Sequence, residues 1–146
     1  MPKDPISSSV PAASAAAQPQ RHVFVYGTLR RGDDNDINRF QPPPQFVGTG
    51  SVAGTMYHLG RYPGVVLGGS ARVLGEVYAI DSELERQLDE LEEVYPQQTD
   101  EYFKRQIDVE VDGRAVDCVV YEINPRYVAK DVRVIAQGDW VLGRHI

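Results

Sequence analysis

Residues 71–93 read ARVLGEVYAIDSELERQLDELEE, a strand pattern running directly into a helix pattern. Ala71 to Ile80 is rich in β formers and closes on an acidic turn residue, which marks a strand. From Ser82 the period changes. Leu84, Leu88 and Leu91 fall at i, i+4 and i+7 and therefore share one helical face. Ser82 and Glu85 carry the spacing of a capping box. Pro96 disfavours helical backbone at Tyr95, so the helix is expected to end near Glu93.

Strand patterns surround this helix on both sides. Downstream, Phe103 to Val111 and Ala115 to Ile123 flank Asp112-Gly113, and an Asp-Gly pair between two β-rich runs predicts a hairpin. Beyond Pro125, short strands are expected around Val132–Ile135 and Trp140–Leu142. Upstream, His22-Val-Phe-Val-Tyr26 reads as a buried strand that stops at Gly27. Val52 to Leu59, Val65 to Leu67 and Ala71 to Ile80 read as three further strands, with a turn at Tyr62-Pro63-Gly64. Arg30 to Asn38 is polar, and Pro42-Pro43-Pro44 prevents regular structure after it. Many strands with one firm helix predict a mixed α+β fold on a curved sheet or barrel, not a doubly wound sheet.

The 146 residues fit one domain, expected over residues 21–146. Met1 to Gln20 is Ala-, Ser-, Pro- and Gln-rich and reads as a disordered tail, since Lys3-Asp4 and a weakly apolar Ala12–Ala17 do not make a signal peptide. A formal net charge of −6 and a pI near 5.0 argue against nucleic-acid or anionic-membrane binding, which needs clustered Lys and Arg. No apolar run approaches the roughly 20 residues that span a bilayer. Cys118 is the single cysteine, so no internal disulfide forms, and a reducing, cytoplasmic setting is expected.

Conventional catalytic signatures are missing. His22, His58 and His145 lack metal-ligand spacing and read as packed or surface residues. Cys118 sits mid-strand and reads as a small core residue rather than a nucleophile. Two features remain. The first is the turn Tyr26-Gly27-Thr28-Leu29, where a strand ending in Gly can present backbone N–H groups to an anion; a plain strand terminus is the alternative. The second is the acidic helix. At about 100° per residue, Glu92 lies roughly 70° from the centre of the leucine stripe and Glu85 roughly 90°, whereas Asp89, Glu90 and Glu93 point further away. Glu92 is thus the acid nearest the buried side, where desolvation raises a carboxyl pKa and suits it to acid–base work. A packed stem with a solvated head is the other reading.

Taken in order, these pieces resemble the gamma-glutamylcyclotransferase-like family. Tyr26-Gly27-Thr28-Leu29-Arg30 after a short apolar strand is similar to its opening motif. Gly32 with Asn35, Gly54-Thr55-Met56-Tyr57, Tyr62-Pro63-Gly64 and Gly75-Glu76-Val77-Tyr78 follow as the family pattern has them. Leu88-Asp89-Glu90-Leu91-Glu92 resembles its Leu-Asp-x-x-Glu block, Tyr102 with Arg105 its Tyr-x-x-Arg element, and Gly138-Asp139-Trp140 the closing motif of bacterial members. The resemblance spans about residues 22–142.

It implies a mixed β-barrel with one main helix and a catalytic role for Glu92. It also implies substrate contacts from Tyr26, Gly27, Thr28 and Leu29. Tyr102 matches a pocket position, with core packing at a strand start as its other reading; Arg105 reads as structural or surface. The implied reaction releases 5-oxoproline from a small gamma-glutamyl amide or amine, without metal or cofactor. One departure stands out: the family usually has Gly where this chain has Glu93. Glu93 either extends the helix or sets a second negative charge near Glu92. Two other readings are a non-catalytic binding module using the same pocket and an interaction domain working through its N-terminal tail.

Overall fold

The computed structural model describes residues 20–94 and 97–144. The expected tail, the helix-breaking Tyr95-Pro96 pair and His145 therefore lie outside the described residues or, for Gln20, at their edge. Among the described residues, six strands run in chain order: β1 (Arg21–Val25), β2 (Gln45–His58), β3 (Pro63–Ile80), β4 (Tyr102–Val111), β5 (Arg114–Ile123) and β6 (Arg133–Val134). Two helices join them, α1 (Ser82–Leu91) and the short α2 (Trp140–Gly143). The strand order β3-β1-β5-β4-β2 closes on itself through β2–β3 pairing, giving a five-stranded barrel, and β6 extends β2. This is the expected barrel with one main helix.

Side-chain alternation explains how the barrel is filled. Phe24 and Tyr26 point into the barrel interior with Val77 and Val120. Val23 and Val25, one residue out of phase, face a second core under α1 with Tyr78, Leu84 and Leu88. Leu88 is fully buried, and truncation of such a leucine to Ala costs roughly 2–5 kcal/mol. Asp112 (φ 50°) and Gly113 (φ 78°) both take positive φ, as a tight hairpin between β4 and β5 requires.

Several expectations change. Val65–Leu67 and Ala71–Ile80 are one strand, not two. Gly68 and Gly69 have positive φ, and the pairing jumps from Ala53↔Arg72 to Gly54↔Leu67, so the glycines bulge out while β3 continues. Strand β2 begins at Gln45, well before Val52, because Gln45 to Ser51 pairs with the second half of β3. Trp140–Leu142 is helical rather than extended, since Asp139 accepts the Val141 N–H and caps a short turn of helix.

Helix α1 is also rephased. Its N-cap is Asp81, not Ser82: the Asp81 carboxylate accepts the Leu84 N–H at 2.8 Å. Leu91 is 41% exposed while Leu84 and Leu88 are buried. The helix therefore turns towards the barrel not only its leucines but also the side bearing Glu85, Asp89 and Glu92. Lys104 from β4 bridges Glu85 and Asp89 at 2.6 and 2.9 Å, and the Tyr121 hydroxyl donates to Asp89 at 2.7 Å. Asp89, placed on the open face by periodicity alone, is thus held against β4 and β5.

Candidate active site

The end of β1 builds one wall of a cavity of about 460 Å³. Tyr26 turns inward and its hydroxyl donates to the Tyr121 carbonyl at 2.6 Å. The next residue has no room for a side chain: a Cβ on Gly27 would stand 2.7 Å from Cγ of Pro63. Only glycine lets this turn approach the start of β3 so closely. The turn then closes through the Arg30 N–H donating to the Gly27 carbonyl at 3.0 Å. The Thr28 and Leu29 carbonyls accept from the N–H groups of Asn35 and Ile37. Among the described residues, the N–H groups of Gly27, Thr28 and Leu29 donate to no carbonyl of the loops or turns.

The opposite wall is the C-terminus of α1. Glu92 is its C-cap, and Glu93 takes the left-handed conformation (φ 57°). The Glu93 N–H donates to the Glu90 carbonyl and the Val94 N–H to the Asp89 carbonyl, at 3.1 and 3.0 Å. This paired arrangement is the Schellman ending that normally favours glycine at the left-handed residue. Of the two expectations for Glu93, helix extension fails: the residue ends the helix at the position where the family usually has Gly.

Glu92 lines the cavity with Glu93 and Glu101. Its carboxyl is pushed up to about 7, first by desolvation, then by the negative charges of Glu101 and Glu93. Phenols surround it. Burial drives Tyr26, Tyr102 and Tyr121 well above the ordinary tyrosine range, with the Glu92 charge adding to each. Tyr62 is pushed up to about 12, chiefly by its hydrogen bond to Glu101 at 2.8 Å. All four therefore stay protonated at neutral pH, as hydrogen-bond donors. Tyr102 opens β4, where its hydroxyl reaches the Pro63 carbonyl at 3.3 Å, so it is packed and lines the cavity at once.

Tyr26, Gly27, Thr28, Leu29, Glu92 and Tyr102, distant in sequence, thus converge on one cavity. Sequence reading missed Glu101, Arg61, Tyr62 and Tyr121 as members of this wall. Tyr62 was visible only as part of a turn and Tyr121 only as a strand residue; nothing local marks either. Arg105, expected to be structural or surface, pairs with Glu122 at 2.9 Å outside the cavity. Cys118 is buried in the barrel and its thiol is pushed up to about 12 by burial, which leaves it inert. Among the described residues, no group of three or more His, Cys, Asp or Glu is arranged to hold a metal ion, and no helix is long and apolar enough to cross a membrane.

The arrangement can shelter a small molecule, offer it backbone N–H donors, and exchange a proton with it near neutral pH. Comparison with known proteins points the same way. The family model described as gamma-glutamyl cyclotransferase, AIG2-like matches residues 23–142. The gamma-glutamylcyclotransferase family protein YtfP of Escherichia coli is 40% identical over 70 residues, 47% of this chain and 59% of that protein. The gamma-L-glutamyl-butirosin B gamma-glutamyl cyclotransferase of Niallia circulans is 36% identical over 87 residues, 58% of this chain and 54% of that protein. The matches thus span little more than half the length of these two relatives. An aig2-like protein from Mus musculus has the same fold, with a TM-score of 0.59 and 29% identity, covering 75% of this chain and 82% of that one.

Proposed function

The chain belongs to the gamma-glutamyl cyclotransferase, AIG2-like family, and from that premise we propose that it is an enzyme cyclising the gamma-glutamyl group of a small gamma-glutamyl amide or amine, with Glu92 as general acid and base. The observation that carries this reading is the meeting of one carboxyl, pushed up to about 7, with the Gly27–Leu29 turn across a single cavity.

The substrate supplies its own nucleophile. Its alpha-nitrogen attacks its gamma-carbonyl carbon, forming the lactam C–N bond as the bond to the leaving amine breaks. Ionised Glu92 accepts one proton from the alpha-ammonium and returns it to the departing nitrogen; the second proton that the attacking nitrogen sheds as the lactam forms ends on the released amine, so the products are 5-oxoproline and a free amine in its ammonium form, with no water consumed. The Gly27, Thr28 and Leu29 N–H groups bind substrate oxygen and stabilise charge on the tetrahedral carbon's oxygen, where one such donor is worth roughly 10²–10³ in kcat. The buried Tyr26 and half-buried Tyr102 shape the cavity and hold the folded conformer in which amine and carbonyl meet. This chemistry needs no serine or cysteine nucleophile, and residues 21–146 form the unit that carries it.

The test is 5-oxoproline release from a panel of gamma-glutamyl amides, run beside Glu92→Gln. Release by the wild type and its loss in the variant are expected. Binding of the same donors without release by the wild type would replace the enzyme reading with a ligand-binding module. Equal turnover by the variant would remove Glu92 from the mechanism.

A further inference from the structure

Behind the turn, on the side away from the cavity, lies a buried charged cluster that the proposed chemistry does not use. Glu76 on β3 is 8% exposed and stands opposite Val25, the last residue of β1. Three donors converge on its carboxylate: the Arg31 N–H at 2.9 Å, the Tyr78 hydroxyl at 2.8 Å and Arg30 Nε at 3.1 Å. Arg30 extends a second nitrogen, Nη1, to Asp139 at 2.9 Å.

Asp139 is itself fixed to β3. The preceding carbonyl, of Gly138, accepts the Leu74 N–H at 2.8 Å, and a Cβ on Gly138 would collide with the Arg72 carbonyl oxygen. Of the two carboxylates that grip Arg30, one is therefore carried by β3 and the other by a segment docked against β3. Arg30 is the residue whose N–H closes the turn onto Gly27.

We infer that Glu76 is a positioning residue, acting through Arg30 and Arg31 to fix the Gly27–Leu29 turn against β3, with Asp139 of the closing segment as its partner in that hold. The inference rests on the role proposed above for the turn. A buried ion network is a poor source of net stability, because desolvation offsets its attraction. What it supplies is geometry. Two carboxylates, Glu76 on β3 and Asp139 docked against it, define the direction of the planar, forked Arg30 side chain and hence where the turn's N–H groups point. The Gly138-Asp139-Trp140 motif, far from the cavity in sequence, gains a place in the site by this route.

Glu76→Gln keeps the shape but leaves one acceptor oxygen for three donors and puts an NH₂ against one of them. Asp139→Asn keeps the helix cap, since Asn caps as well as Asp, and weakens only the hold on Arg30. The expected result is a fall in kcat of about tenfold or more for Glu76→Gln, with KM changed by less than about threefold. A smaller fall is expected for Asp139→Asn, vanishing in an Arg30→Gln background. Arg105→Gln, which breaks an ion pair outside the cavity, should leave turnover unchanged. Independently of turnover, amide exchange at Arg30, Arg31 and Asn35 should quicken at least about tenfold in Glu76→Gln while Leu88 and Val119 keep wild-type protection.

Wild-type exchange at the turn, or loss of melting temperature with kcat and turn exchange unmoved, would overturn the inference. Should Glu76→Gln fail to fold, Asp139→Asn carries the same two readouts. Should the wild type release no 5-oxoproline, the functional reading fails while the amide exchange still decides the positioning.

Discussion

Gly27 and Pro63 are in such close contact that a Cβ on Gly27 would lie 2.7 Å from the proline ring. The ring cannot rotate away, so Gly27→Ala has to displace either the turn or the start of β3. The expected result is a folded protein with turnover reduced roughly 10²-fold, read from 5-oxoproline release beside a thermal melt. Unchanged turnover would show that the turn tolerates displacement and contributes no oriented donors.

The pH dependence follows from Glu92. In the mechanism proposed above it must be ionised to accept the alpha-ammonium proton, so kcat/KM should rise with pH through about 7 and level off above it. Glu101 is the larger of the two carboxylate influences on Glu92. Glu101→Gln should therefore move this limb to lower pH, and Glu93→Gln should move it less. A limb unmoved by both variants would assign it to another group.

The same group ties stability to pH. Folding raises the Glu92 pKa from its ordinary value near 4.5 to about 7, so the native state binds the proton more tightly than the unfolded chain. Its contribution is neutral below the unfolded value, turns unfavourable as pH rises between the two, and stays so above about 7. Glu92→Gln should therefore melt higher than wild type at pH 8, by on the order of 1–3 kcal/mol, with the gap closing towards pH 4. Melting curves across that range check it; a constant gap would mean that burial does not destabilise the ionised form.

Glu93 occupies a left-handed position that costs an L-residue roughly 1–2 kcal/mol. Glu93→Gly relieves that cost against a more flexible unfolded chain, and it removes one negative charge near Glu92. Two outcomes are expected together: stability up by about 1 kcal/mol and the kcat/KM limb shifted to lower pH. Denaturant melts and a pH–rate profile read them separately. A destabilised variant would show that the Glu93 side chain holds the helix end by contacts worth more than its backbone strain.

Local patterns along the chain were enough for several of the barrel's parts. Alternating Val23, Phe24 and Val25, the Asp112-Gly113 turn and the Leu84–Leu88 spacing each depend on neighbours a few residues away, and each forms as its pattern predicts. The turn at Gly27 and the carboxylate at Glu92 were legible for the same reason, one as a strand stop and the other as the acid beside an apolar stripe. Helix phase was legible only in part. Leu91 is apolar yet exposed, and Asp89 is charged yet held, because Lys104 and Tyr121 arrive from strands that the helix sequence does not contain.

What only the tertiary structure decided is which distant groups share a dielectric environment and a cavity. Closing β2 onto β3 brings Pro63 against Gly27 and sets Tyr62 and Glu101 beside Glu92. A carboxyl's pKa depends on water removed and charges placed nearby in space, and neither quantity has a sequence period. The sequence by itself determined most of the elements and marked one acid; the closure of the barrel determined that this acid meets the turn, and that Glu76 and Asp139 grip the turn from behind.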